Sequence, residues 1–496
     1  MYTSSKFLKN IKLHTVFLAL VGVVALLLTF SLVVPDEGIT IAGMNIKFPS
    51  FDQLLHPKQQ EKADIGDIIM DVDTSFADPL IKHTEGSDGN MGAAKGGQLS
   101  INNSTSIHLN DAAKASLHAF FQKMNDAAGS KKKVHILHYG DSQIEGDRMT
   151  GFIRERIQNQ FGGNGPGLVP AMNVYNTYAF NQTYSENFKR YTCFGGDKLK
   201  SRKYGAMASA ARFAPEPSTD SAGNGQAAEW KTAWIELEAS NRAYSRARSF
   251  STVKMFYNSC VKPCAITVYE NGAIIHQDSL IADGKYHVFK LSFAKTPGKL
   301  RYEFKSTGSP TISNFSLEGD IGVQVSNIGL RGSSGTIFGS MDKGIAGQMI
   351  NDLNTELVIM QFGGNSVPSL KDSAGARNYA SYFAGQLRSI KAMRPNVAII
   401  VIGPSDMSMM KDGIYETYPL LPYLVEQMKK KSLEVGAGYW DLFNAMGGKN
   451  SMPAWVEKGL AGNDYIHFSN KGASISSQLF YDAFIAEYVK WNTGVQ

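Results

Sequence analysis

The chain has 496 residues, too many for one small domain at about 150 residues per domain. A composition of 43% hydrophobic and 19% charged residues supplies apolar surface for a large core and excludes wholesale disorder. The net charge of +6 is small for this length and its basic residues are scattered, so no nucleic-acid partner is implied. Three cysteines exclude a disulfide-rich scaffold and a four-cysteine zinc site. Cys260 and Cys264 keep two readings, a pair in an oxidising compartment or free buried thiols.

Residues 15–34 form an uncharged apolar segment of the length a helix needs to cross a bilayer. Lys6, Lys9 and Lys12 precede it, and Asp36 and Glu37 follow. By the positive-inside rule the short N-terminus stays in the cytoplasm and the body is periplasmic or extracellular. A cleaved signal peptide is the competing reading, but its apolar region usually runs about 7–15 residues and ends in a small-x-small site, whereas this one ends Leu32-Val33-Val34-Pro35. Residues 1–35 therefore read as a cytoplasmic tip and transmembrane anchor. Residues 36–110 lack sustained periodicity and are Gly-, Ser- and Asn-rich over 84–104, as an extracytoplasmic linker would be.

Folded structure resumes at Asn110, a good helix N-cap, with Leu117, Phe120, Phe121 and Met124 on one helix face. A buried strand over 134–139, the turn Gly140-Asp141-Ser142 and a helix over 149–161 follow. Lys131, Lys132 and Lys133 read as a solvated lead-in to that strand. Further short apolar runs at 321–328, 357–362 and 397–402 suit buried parallel strands, and amphipathic stretches lie between them. A last helix spans about 473–491. The alternation predicts an α/β sheet built from residues 111–171 and 326–496. Between them, residues 172–325 carry short, partly alternating strands at 230–237, 252–257, 265–269, 286–293 and 299–305, the pattern of an inserted β-sandwich or jelly roll. Trp230 and Trp234 fall on one face of the first of these. Stacking on sugar rings and filling the core are both open to them, and at least one is expected to fill the core.

In an open parallel sheet the C-terminal strand ends converge on one rim. Four places there carry suggestive groups: Ser142 in Gly140-Asp141-Ser142-Gln143, Gly332 in Gly329-Leu330-Arg331-Gly332, Asn365 in Gly363-Gly364-Asn365, and Asp464 and His467 in Asp464-Tyr465-Ile466-His467. A serine hydroxyl needs a base, and the base needs a third group to orient it. His467 fits as the base of Ser142, with Asp464 on its far ring nitrogen, although Asp464 also reads as a local cap. The Ser142 and Gly332 amides and the Asn365 side chain are candidate oxyanion donors, with Gly329 and Gly335 competing for the glycine role. His135 and His138 stand three apart on a strand and point to opposite faces, so they read as core or rim histidines. Residues 162–167 are glycine-rich without the Gly-Lys-Ser/Thr of a phosphate loop and read as a loop beside the active-site rim.

These blocks resemble the SGNH (GDSL-type) hydrolases, whose markers are a serine in G-D-S, a glycine, an asparagine in G-x-N and a histidine in D-x-x-H, here in the same order. The resemblance implies a flavodoxin-like three-layer α/β domain with a parallel sheet of about five strands. More narrowly, residues 140–147 and 161–167, followed by a β-rich insert, resemble bacterial peptidoglycan O-acetylesterases, in which the insert resembles a family 35 carbohydrate-binding module. Gln143 stands where that subgroup often has His, and Arg331 where Asn is common. The resemblance implies a serine esterase acting on an O-acetylated envelope glycan beside the inner membrane, with no metal or organic cofactor. Two rival expectations share the same residues: an O-acetyltransferase working with a membrane-bound acyltransferase, and an inactive glycan-binding scaffold.

Overall fold

The structure, a computed structural model, describes residues 13–34, 39–41, 44–46, 48–56, 59–70, 106–129, 132–216 and 229–494. It divides into two compact units, Met1–Glu61 with Met409–Glu416, and Lys62–Ser408 with Thr417–Gln496. In the first, α1 (Leu13–Val33) has a mean hydropathy of 2.8 over an 18-residue window and is long and apolar enough to cross a membrane. Its leucines and valines are nearly all exposed. Lys6, Lys9, Lys12 and the stretch 84–104 lie outside the described residues.

The second unit is built on a five-stranded parallel sheet. In chain order, α2 (Asp111–Gly129) leads to β1 (Lys133–Gly140) and α3 (Thr150–Phe161). Then come β2 (Gly167–Pro170), β3 (Phe180–Tyr184), β4 (Lys189–Thr192), β5 (Ser209–Arg212), β6 (Lys231–Ala239) and β7 (Thr252–Asn258). These continue as β8 (Cys264–Glu270), β9 (Ala273–Leu280), β10 (His287–Ser292), β11 (Leu300–Ser306) and β12 (Thr311–Glu318). The chain returns through β13 (Gly322–Gly329), α4 (Lys343–Asp352), β14 (Thr355–Gln361), α5 (Ser373–Met393), β15 (Ala398–Ile402), α6 (Leu421–Glu434), β16 (Gly438–Trp440) and α7 (Asn470–Thr493). The α2 start is capped as its sequence predicts, Asn110 Oδ1 accepting the Ala113 N–H at 2.9 Å.

The parallel sheet runs β13-β1-β14-β15-β16. Taken in order of appearance the strands lie 2-1-3-4-5, the doubly wound order whose switch point falls between the first and third strands. One apolar cluster joins α2, α3 and α7 to one face of the sheet, through Phe121, Ile153 and Phe484 among others. Another joins α4, α5 and α6 to the other face, through Met349, Phe383 and Leu424. With both faces covered, the central strands are wholly buried, as their unbroken apolar runs require. The short fifth strand, β16, has no comparable run.

Between α3 and β13 the chain makes two antiparallel sheets, β9-β8-β11-β6-β3 and β10-β7-β12-β5-β4, with β2 beside β12. A shared apolar cluster draws Ile235, Val268 and Phe304 from one and Val253, Met255 and Phe315 from the other, so the two pack face to face. Along β6 it is Ala233, Ile235 and Leu237 that point into this core. Both tryptophans are on the outer side, contrary to the expectation that one fills the core. Trp230 is 60% exposed, and Trp234 lies under the Arg301 guanidinium, 4.4 Å from its ring centre.

Glu318, at the end of β12, is fully buried and fastens this region to β1: it accepts from Lys133 (3.0 Å) and pairs with His135 (3.1 Å) and Lys254 (2.5 Å). Burial opposes its ionisation, but His135 and the two lysines outweigh it and hold the carboxyl well below its usual range. Lys133 is therefore part of an internal charge cluster and not of a solvated lead-in. His138 is buried as well, between Gln361 Oε1 (3.1 Å) and Thr150 Oγ1 (3.0 Å). Cys193, Cys260 and Cys264 are buried free thiols.

The loop over 162–167 sits at the rim where β13 begins, Gly162 O accepting from Val323 N at 3.0 Å, and not at the rim where the strands end. Its Gly163, Gly165 and Gly167 serve close approach. Gly163 has φ +113°, and a Cβ there would meet Val323 O at 2.1 Å.

Candidate active site

Ser142 follows β1, Gly332 follows β13 and Asn365 follows β14, which sets all three at the carboxyl ends of adjacent strands around the switch point. His467 comes from the loop before α7. Ser142 Oγ lies 2.8 Å from His467 Nε2, and His467 Nδ1 lies 2.7 Å from Asp464 Oδ2. The sequence therefore brings together hydroxyl, imidazole and carboxylate across a separation of 325 positions between Ser142 and His467.

The histidine loop is shaped by the same aspartate. Asp464 Oδ1 accepts the main-chain N–H groups of Ile466 and His467, each at 3.0 Å, while Oδ2 holds the imidazole. Local cap and histidine partner are thus one residue using two oxygens. Partial burial by itself would raise the Asp464 carboxyl, but the His467 and Ile466 N–H groups and the imidazole outweigh this and hold it below its usual range. It stays an anion facing Nδ1. Both side chains are partly exposed, 38% for His467 and 50% for Asp464.

Two residues that sequence reasoning did not assign tie the serine turn to this loop. Gln143 Nε2 donates to Ile466 O (2.7 Å), and Gln143 Oε1 accepts from Phe468 N (3.3 Å). Arg148 donates to Ser142 O, to Glu145 O (3.2 Å) and to Phe468 O (3.1 Å). Their signal in the sequence was proximity to Gly140-Asp141-Ser142, but their partners are main-chain carbonyls and one main-chain N–H that no motif names.

Among the described residues the Ser142 and Gly332 main-chain N–H groups have no hydrogen-bond acceptor. Gly332 has φ +75°, a conformation that favours glycine, and it lines the cleft with Ser142, Asn365 and His467. Gly335 instead packs on Phe362 and Phe383, and Gly329 ends β13. Asn365 Nδ2 donates to Asp141 Oδ2 (3.1 Å) and to Ser333 O (3.0 Å), which uses both of its amide hydrogens. Donation to a further acceptor requires releasing one. Asp141 is buried, and burial pushes its carboxyl up to about 6 against the Gln143 N–H and the positive charges of His467 and Arg148.

The cleft over Ser142 and His467 has a volume of about 710 Å³, in the range of about 300–1,000 Å³ usual for small-molecule sites. A smaller pocket of about 160 Å³, lined by Phe362, Pro368, Pro404, Met407 and Ile466, adjoins the same pair.

A solved structure of a peptidoglycan O-acetylesterase superposes with a TM-score of 0.59 at 21% identity, over 77% of this chain and 99% of that one. The chain resembles the SGNH hydrolases in fold as well as in motifs. A family two carbohydrate esterase from Cellvibrio japonicus matches 63% of this chain and 99% of its own at 10% identity, with a TM-score of 0.25. An acetyl xylan esterase from the rumen bacterium Butyrivibrio proteoclasticus matches 64% and 99% at 10% identity, with a TM-score of 0.23. Neither of these two shares enough architecture to bear on the fold. No protein-family model and no curated protein matches the sequence.

Proposed function

We propose that this chain is a serine esterase that removes O-acetyl groups from an envelope polysaccharide such as peptidoglycan. The observation that carries the reading is the continuous relay Asp464, His467, Ser142 at the sheet's switch point, opening into a cleft wide enough for sugar units. Ser142 Oγ attacks the acetyl carbonyl carbon while its proton passes to His467 Nε2. Asp464 Oδ2 keeps the other ring proton on Nδ1 and stabilises the imidazolium that forms. The oxyanion is met by the Ser142 and Gly332 N–H groups, with the Asn365 amide as third donor once it lets go of Ser333 or Asp141. Collapse breaks the ester bond, and His467 returns its proton to the departing sugar hydroxyl. Water, deprotonated by His467, then attacks the carbonyl of acetyl-Ser142; the bond from the acetyl carbon to Oγ breaks, His467 returns the proton to Ser142 Oγ, and acetate leaves.

The glycan part of the reading draws on the architecture shared with a peptidoglycan O-acetylesterase. The membrane part draws on α1, which would hold the body at an extracytoplasmic membrane surface. In the same reading, residues 172–325 are an inserted carbohydrate-binding-like β-sandwich between the halves 111–171 and 326–496 of the hydrolase domain. Support comes from the single core that the two antiparallel sheets share.

The test is acetate release from a small acetyl ester and from O-acetylated peptidoglycan by the purified protein, with intact-mass detection of acetyl-Ser142. Ser142→Ala should abolish both release and adduct with the melting temperature unchanged; turnover equal to wild type rejects the assignment. A transferase, favoured by the apolar α1 beside a membrane acyl donor, differs only in the second acceptor. Acetylated oligosaccharide products in place of free acetate would establish it. Failure of Ser142 to react with a serine-directed probe would leave the scaffold reading.

A further inference from the structure

The cleft over Ser142 carries three arginines but one carboxylate, Glu145, among its lining residues. Two of the three are committed. Arg148 spends its guanidinium on the carbonyls of Ser142, Glu145 and Phe468. Arg331 binds Glu145 through two N–H groups and lies 4.9 Å from the Tyr175 ring centre.

Arg242 is the exception. It follows β6, on the antiparallel part of the chain, and its guanidinium carbon lies over the Tyr178 ring, 5.1 Å from the ring centre. Among the described residues it has no carboxylate partner. That contact uses the face of the Tyr178 ring and no N–H group of Arg242, and guanidinium N–H groups can take a carboxylate through two parallel hydrogen bonds. Arg242 is exposed to solvent, and it lines the same cleft as the Ser142 hydroxyl, beside Asn176 and Thr177.

Resting on the esterase reading above, we propose that Arg242 is a specificity-determining subsite for a carboxylate carried by the acetylated glycan. It binds the substrate's charge and takes no part in bond making. The acidic group sits on the uronate ring or on the lactyl or peptide arm of a muramyl sugar, and both present the same chemistry to the guanidinium.

The experiment measures acetate release by the full chain in detergent. Three O-acetylated oligosaccharides matched in acetyl content serve as substrates: an oligouronide, a muropeptide and a neutral xylo-oligosaccharide. Wild type should prefer a carboxylate-bearing substrate, and added salt should erode the preference. Arg242→Gln should lower kcat/KM on that substrate roughly tenfold, mainly through KM, and flatten its salt dependence. Arg242→Lys should recover part of the loss. The acidic arm that responds identifies the carboxylate source. Equal loss on acidic and neutral substrates, or no acidic preference in wild type, overturns the Arg242 assignment alone. No release from any of the three, with Ser142 unreactive to a serine-directed probe, overturns the esterase reading and this inference with it.

Discussion

The side-chain amide of Gln143 donates to the Ile466 carbonyl at 2.7 Å, fastening the turn that carries Ser142 to the loop that carries His467. The return bond from the Phe468 N–H closes a two-point clasp. A 2.8 Å contact between groups on separate loops depends on such a clasp, because a misplacement of about 1 Å can cost roughly 10² in rate. Gln143→Glu keeps the acceptor and removes the donor. Its kcat should fall by about 10²-fold with KM little moved, and steady-state kinetics on a small acetyl ester will read that split.

Asp464→Asn removes the charge facing Nδ1 while nearly preserving shape. The loss should be large in kcat but smaller than the roughly 10⁴-fold cost of neutralising a buried aspartate of this kind, since Asp464 is half exposed and water replaces part of its field. Comparison of kcat for Asp464→Asn and Ser142→Ala checks the ordering.

Asn365 has two possible duties, and they separate experimentally. As an oxyanion donor it should cost about 10²–10³ in kcat on replacement by alanine. A mere tie between Asp141 and Ser333 would leave kcat intact and lower the melting temperature. The first outcome is expected, measured by pairing kinetics with thermal unfolding.

Asp141 makes stability depend on pH in a definite direction. Its carboxyl moves from 3.8 when unfolded to about 6 when folded, chiefly through burial. Between these values the folded chain holds a proton that the unfolded chain releases. The contribution is therefore complete below about pH 4 and lost as pH rises through about 6, about 3 kcal/mol for a shift of this size. Unfolding free energies from urea titrations at pH 4 and pH 7 should show a fall in wild type larger than in Asp141→Asn by about this amount.

Glu318→Gln should destabilise by about 3–5 kcal/mol, because it leaves Lys133, Lys254 and His135 without their shared anion in a buried site. Chemical denaturation near neutral pH measures it. A loss under about 1 kcal/mol would mean that the cluster relaxes into water.

Much of the layout was legible because its signals are local. Unbroken apolar runs marked β1, β13, β14 and β15, and the turns after them named Ser142, Gly332 and Asn365. Asn110 and the Leu117 to Met124 stripe marked α2. What escaped depends on tertiary context. β16 is three residues long, too short for any period to register. Trp230 and Trp234 were rightly set on one face of β6, but which face is inside depends on the opposing sheet, and Ala233, Ile235 and Leu237 fill it. The residues 162–167 follow a helix that carries the chain away from the catalytic rim, so nearness in sequence to Ser142 misled. Gln143 and Arg148 reach the main chain at Ile466 and Phe468, which only folding brings close.

The distance in sequence between Ser142 and His467 has a consequence for biogenesis. Ribosomes work from the N-terminus at about 5–20 residues per second, so the 325 positions from Ser142 to His467 correspond to a delay on the order of 15–65 s. Throughout that interval the serine turn exists without its proton acceptor. On the esterase reading a half-made polypeptide is chemically silent, and reactivity begins only when the loop that carries His467 docks beside the serine turn.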